Sequence, residues 1–220
     1  GFELVPADSL RLVLEHIPGT RAPLSGDHKW YVLVEATTPS FDHDVSAELE
    51  RHLAEALEEG VIADAVLAAN EMQAEAFWRI RDSISEAERA EGQTLAHDIS
   101  VAAAAMPQFL VDAAGEVERA FPGVTASGFG HMGDGNIHFH VRAGNHASAD
   151  WYDREGVKIT RLVDDLVTAR GGSISAEHGI GQLKREELAR LASPARLHAL
   201  RAIKYALDPL GIMNPGKLVP

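Results

Sequence analysis

The 220-residue chain contains no cysteine. That removes disulfides, thiolate metal sites and cysteine nucleophiles, so any metal would rest on nitrogen and oxygen ligands. Positive charge is also scarce, with 20 lysines and arginines against 33 aspartates and glutamates and a formal net charge of −13. Nucleic-acid binding depends on neutralising phosphates with Lys and Arg, and this balance argues against it. An acidic substrate would need a local cationic pocket to overcome the general field. No apolar run approaches the roughly 18 residues of a membrane span, and the N-terminal region lacks the basic-then-apolar layout of a signal peptide. A cytoplasmic protein is therefore expected. Hydrophobic residues make up 45% of the chain, enough for a sizeable core in one large domain or two small lobes.

What is present is concentrated in two glycine-rich motifs. Gly130-His131-Met132-Gly133-Asp134-Gly135-Asn136-Ile137-His138 is answered later by Ser175-Ala176-Glu177-His178-Gly179-Ile180-Gly181. Glycines crowd such loops where backbone must turn with positive φ or come close to a ligand. The remaining side chains are those that do chemistry. His131 and His138 each offer an imidazole nitrogen and Glu177 a carboxylate oxygen, a set that leaves coordination positions open for substrate. The bland alternative is a loop whose Asp and Asn serve turns and whose histidines are merely packed. Taken together, the two motifs favour a divalent-metal site with an adjacent base.

Hydrophobic periodicity gives the elements. Trp30 to Thr37 reads as a strand, and Val45 to Glu59 as a helix with Leu49, Leu53 and Leu57 on one face. A short strand at Val61 to Leu67 then leads to a long helix from Asn70 to Gly92, and a strand at Asp98 to Val101 to a helix after Pro107. Strands at Val124 to Phe129 and Ile137 to Val141 flank the first motif. Helices at Trp151 to Arg170 and Pro194 to Leu207 bracket the second, and Pro18 to Gly26 is a loop. This order suggests an α+β domain, an antiparallel sheet with helices over one face and a C-terminal helical segment.

Two further patterns single out residues. Strand alternation puts His138 and His140 on the same face, so His140 is a fourth ligand, a substrate hydrogen-bonding group or a packed histidine, with the second favoured. On the expected 70–92 helix, Phe77, Ile80 and Ile84 form a buried stripe, with Trp78, Arg81 and Ser85 beside it. Arg81 and Ser85 would then stack one turn apart, where a guanidinium fork and a hydroxyl suit a carboxylate. The commoner alternative for such an arginine is a surface pair with a glutamate.

The GHMGDGNIH and SAEHGIG segments, followed by Leu207-Asp208-Pro209-Leu210-Gly211-Ile212-Met213-Asn214-Pro215-Gly216-Lys217, closely resemble the C-terminal domain of FAD-linked oxidases of the vanillyl-alcohol-oxidase superfamily. The likeness is greatest to D-2-hydroxyglutarate and D-lactate dehydrogenases. It runs nearly end to end and implies a ferredoxin-like α+β domain that is the substrate- and metal-binding half of a longer enzyme. FAD would be held mainly by an N-terminal half, so the chain alone is expected to fold and bind metal without retaining FAD or turning over substrate. The donor set of His131, His138 and Glu177 suits zinc, with manganese or iron as substitutes, and the resemblance further implies His178 as the base for the substrate hydroxyl. It places Arg81 and Ser85 on a substrate carboxylate and His140 near the substrate, at a position where the relatives tend to carry asparagine. Asn136 and Asn214 would approach the flavin, with a weaker claim for Lys217, and all three could instead be turn chemistry. Where those dehydrogenases carry a lysine just before the His-Asp-Ile-Ser segment, this chain has Ala96, which implies a weaker hold on dicarboxylic acids. The implied partners are a small D-2-hydroxy acid and an electron acceptor that is a protein or a quinone, with room for a homodimer. The alternatives are a flavoenzyme of the same superfamily acting on another alcohol, or a non-catalytic metal- or acid-binding module.

Overall fold

The computed structural model describes residues 1–40, 42 and 44–219. In chain order the elements are β1 (Phe2–Pro6), α1 (Ala7–His16), β2 (Trp30–Val34), α2 (Val45–Glu58), α3 (Glu71–Asp82), α4 (Ile84–Glu91), β3 (Thr94–Ser100), α5 (Met106–Ala120), β4 (Thr125–His131), β5 (Asn136–Arg142), α6 (Trp151–Ala169), α7 (Arg185–Leu191) and α8 (Pro194–Leu207). The strands form one sheet in the order β2-β1-β4-β5-β3. β1 runs antiparallel to both β2 and β4, with Glu3 directly opposite Leu33 on one side and His131 on the other. This is the α+β class expected from the sequence.

The chain divides into two compact units, residues 1–94 with 127–133 and residues 95–126 with 134–220. The first unit is cored by Val5, Leu12 and Val13, by Ile80 and Ile84, and by Phe129 of β4. In α1, Leu10 and Val13 recur at the spacing of one helical face, and Ile17, just past its end, is buried with them. The second unit buries Phe109 and Val117 of α5, Ile137, Phe139 and Val141 of β5, and Ile159, Val163 and Val167 of α6. α8 starts where the sequence suggests: Ser193 accepts from the Arg196 N–H at 3.2 Å and Pro194 occupies the first turn.

Two expectations fail. Val61 to Leu67 forms no strand, because the N–H groups of Val61 and Ile62 are spent on the Ala56 carbonyl, closing the end of α2. The 70–92 helix is interrupted at Ser83, whose ψ of −3° departs from the helical value of about −42°. The flanking bonds survive, Ser83 N–H to the Arg79 carbonyl and Ala87 N–H to the Ser83 carbonyl, so the interruption does not unwind the chain. Arg81 therefore closes α3 while Ser85 opens α4, and they are not stacked on one continuous helix.

Candidate functional site

The second unit assembles the SAEHGIG segment against β3. Ser100, the last residue of β3, exchanges both backbone hydrogen bonds with Ser173, at 3.0 and 2.9 Å, and this bridge brings the following residues alongside Asp98. The Asp98 side chain is 3% exposed and collects the loop's donors. Its Oδ2 accepts from the N–H groups of Ala176 at 3.1 Å, Glu177 at 3.0 Å and His178 at 2.8 Å, and from the Ser175 hydroxyl at 3.3 Å. Burial alone would raise this carboxyl's pKa, but the His178 and Glu177 N–H groups, aided by nearby positive charge, hold it below the usual aspartate value.

Lys184 secures the same place from the main-chain side. Its ammonium donates to the carbonyls of Ile174 at 2.7 Å and Asp98 at 3.1 Å. Burial lowers its pKa, and Asp98 and Asp164 oppose that shift. Gly179, at φ +76°, then turns the chain away in a conformation that side chains with a Cβ avoid.

This scaffold leaves Glu177 and His178 at the surface, with the His178 side chain 70% exposed. The His178 ring centre lies 6.3 Å from that of His138, so the expected base and one expected ligand are neighbours. Ligand atoms of Asp98, Glu177 and His178 also fall within 4.8 Å of one another. Asp98 is a poor metal ligand, however, since its oxygens are committed to backbone donors. Nothing in the motif reading pointed to Asp98. The available signal was an aspartate inside an apolar strand, Leu95 to Ile99, where a buried charge must find compensating donors.

Asn136 and His140 are both buried on β5, at 3% and 4% exposure. The Asn136 amide has no hydrogen-bond partner for its oxygen or its nitrogen among the described residues. Its own N–H is held by the Asp134 carboxylate at 2.9 Å. Gly135, just before it, has φ +80° and packs so tightly that a Cβ would sit 2.0 Å from the Val101 carbonyl oxygen. Asn214 is exposed, adopts φ 47° and accepts the Lys217 N–H, which is turn geometry. The tail beyond it folds onto the second motif: Leu218 N–H meets the Gly181 carbonyl at 2.8 Å, Arg185 binds the Gly216 carbonyl, and Lys217 reaches the Gln182 side chain.

The first unit holds the remaining residues. The Arg81 side chain, 14% exposed, lies with its guanidinium 5.6 Å from the centre of the Phe129 ring. Its Nε donates to Glu3 Oε2 at 2.8 Å, and its Nη2 lies 3.2 Å from His131 Nε2. His131 Nδ1 in turn lies 2.6 Å from Glu3 Oε1. Arg81 is thus paired with a glutamate, as the bland reading had it, but with a buried one and beside an expected ligand. Ser85 is half-buried on α4 of this unit, whereas Ala96 belongs to the second unit and is exposed on β3. No sequence pattern singles out Glu3, because a lone glutamate at the start of the chain reads as a solvent position and only the fold buries it.

Relatives of known description match this chain along its whole length. A mitochondrial D-2-hydroxyglutarate dehydrogenase from Arabidopsis thaliana is 36% identical over 100% of the chain and 38% of its own length. A D-2-hydroxyglutarate dehydrogenase from Xanthomonas citri pv. viticola is 34% identical over 99% of the chain and 45% of its own. The mitochondrial enzyme of that name from Bos taurus is 32% identical over 100% and 38%. The chain therefore spans less than half the length of these relatives. Among solved structures, an alkyldihydroxyacetonephosphate synthase aligns over 99% of this chain and 40% of its own at 12% identity and a TM-score of 0.39, too distant to bear on fold or function. The family model described as FAD linked oxidases, C-terminal domain, matches residues 1–218, and with the two glycine-rich motifs in place this chain belongs to that family.

Proposed function

We propose that residues 1–220 are the substrate- and metal-binding half of a FAD-dependent dehydrogenase that oxidises a D-2-hydroxy acid to the 2-oxo acid. The observation that carries the reading is the exposed Glu177-His178 pair, held by buried Asp98 and set beside His138, in a chain of this family. His131, His138 and Glu177 are the proposed metal ligands. Two imidazoles and a carboxylate suit zinc with positions left open, and only the turn 132–135 separates the strands that carry the two histidines. The buried Asn136 amide, without a partner among the described residues, fits the polar edge of a flavin, since it offers one donor and one acceptor group. Asn214 is the second proposed flavin neighbour.

When bound, zinc supplies Lewis acidity toward the substrate's hydroxyl. FAD supplies the two-electron acceptor. This chain does the rest. His178 accepts the hydroxyl proton at a ring nitrogen as the C2–H bond breaks, and the loop that Asp98 ties down fixes where that nitrogen stands. Arg81, Ser85 and His140 hold the acid, the guanidinium being the cation that overcomes the net negative field. With alanine at position 96, D-2-hydroxyglutarate is expected to be preferred over D-lactate less strongly than in the relatives named for it.

Among the described residues no helix is long and apolar enough to cross a membrane. We propose a cytoplasmic protein with a protein or quinone as electron acceptor and with room for a homodimer. The test is a screen of D- and L-2-hydroxy acids with the FAD-loaded, full-length protein and an artificial electron acceptor. D-specific dye reduction that His178→Ala lowers by ~10²-fold or more is expected. Zinc and acid binding with no dye reduction from any acid would make the domain a binding module instead.

A further inference from the structure

Glu3 and His131 face each other directly across the β1–β4 pair, so their side chains stand side by side. The Glu3 carboxylate is 4% exposed and divides its oxygens, Oε1 to His131 Nδ1 at 2.6 Å and Oε2 to Arg81 Nε at 2.8 Å. The circuit closes where Arg81 Nη2 lies 3.2 Å from His131 Nε2. Arginine has donors only. The contact at Nε2 therefore requires the imidazole lone pair there, which leaves the ring proton on Nδ1, where Glu3 accepts it.

We infer that Glu3 is a positioning residue that fixes His131 as the Nδ1–H tautomer with Nε2 as its ligating atom, and that Arg81 competes with the metal for that same lone pair. The inference rests on the metal reading above and goes beyond it in naming the atom, the tautomer and an antagonist. A carboxylate behind a ligating histidine sets the ring orientation and raises its basicity. A guanidinium in front of it does the opposite, because the lone pair cannot serve an N–H and a cation together, and the two positive charges repel. The arrangement also implies an order of events. For His131 Nε2 to hold a metal ion, Arg81 Nη2 would have to leave it while Nε keeps its bond to Glu3, and the freed Nη2 would then be available to a substrate carboxylate, so metal would precede acid.

The test is zinc titration of the metal-stripped 220-residue chain against a chromophoric chelator, together with ¹⁵N spectra of the His131 ring in the metal-free state. Glu3→Gln should weaken zinc binding by about 10–100-fold, whereas Arg81→Ala, and to a smaller degree Arg81→Lys, should tighten it by about tenfold, the worth of one charge-assisted hydrogen bond. The wild-type ring should show a protonated Nδ1 and an unprotonated Nε2. Weaker zinc binding in both Arg81 variants would overturn the competition, and a protonated Nε2 in the neutral ring would overturn the role of Glu3. A wild-type chain that binds no zinc would sink the metal reading and the competition with it. The tautomer measurement needs no variant to fold and would still decide what Glu3 does.

Discussion

At the scale of single residues, the chemistry turns on two acids that no motif announces. Asp98 gathers three backbone N–H groups of the Glu177-His178 loop, and its lowered pKa means that the loop's order is a property of the ionised carboxylate. Because the folded pKa lies below the unfolded one, this stabilisation is present above the ordinary aspartate range and is lost as pH falls through the lowered value. Asp98→Asn keeps the shape but turns an amide NH₂ toward donors it cannot satisfy. It should cost about 1–3 kcal/mol of stability and speed amide exchange at 176–178 above that of the rest of the second unit. Uniform exchange across the unit, with unchanged stability, would show that the aspartate only fills space. The exposed members of the set, Glu177 and His178, were legible in the sequence because glycines frame them. Asp98 and Glu3 were not, since a pattern rule sends lone carboxylates to solvent and only tertiary structure supplies their buried partners.

At the scale of elements, long periodic segments were read well and short or covered ones were not. α2, α6 and α8 each carry an apolar stripe of three turns or more and fall close to the expected limits. α7, with Leu188 as its only buried residue, is too short to show a period. β1 is buried along nearly its whole length, glutamate included, and so shows no alternation. The break at Ser83 was hidden because the apolar stripe passes through it, with Ile80 and Ile84 buried on either side. The turn between β4 and β5 relies on Gly135. Alanine there would need a positive φ and a Cβ 2.0 Å from the Val101 oxygen, while Val101 N–H already binds the Gly135 carbonyl at 3.1 Å. Gly135→Ala should therefore destabilise the protein by more than ~2 kcal/mol. Gly123→Ala is the comparison, with a positive φ but nothing within 4 Å of its Cβ, and it should cost about 1 kcal/mol. Equal losses in the two variants, read by chemical denaturation, would mean that φ alone matters and the close approach does not.

At the scale of the whole molecule, stability against pH is set in part by two buried groups of the second unit whose effects oppose each other. His97, between the Phe139 carbonyl and the Thr160 hydroxyl, is held neutral by burial, its pKa lowered from 6.5 to about 4. The unfolded chain takes up that proton near pH 6.5 and the folded one near 4, so this histidine reduces stability as pH falls across that window. Asp164, 3% exposed on α6, is shifted the other way, from 3.8 up to about 7, by burial and then by the charge of Glu187, with Lys184 and Arg190 opposing. The folded protein holds this proton where the unfolded chain has released it. Its stabilisation is complete below pH 3.8 and is lost as pH rises through about 7. Between pH 4 and 6.5 the two slopes offset each other, and above 6.5 only that of Asp164 remains. Asp164→Asn mimics the protonated acid at every pH, so it should match the wild type near pH 4. It should then gain on it as pH rises, by an amount on the order of 2–4 kcal/mol at pH 8. Guanidinium denaturation of both proteins at pH 4.5, 6 and 8 measures the difference. A gap that stays constant across that range would show that Asp164 keeps its charge in the folded state and that α6 tolerates it there.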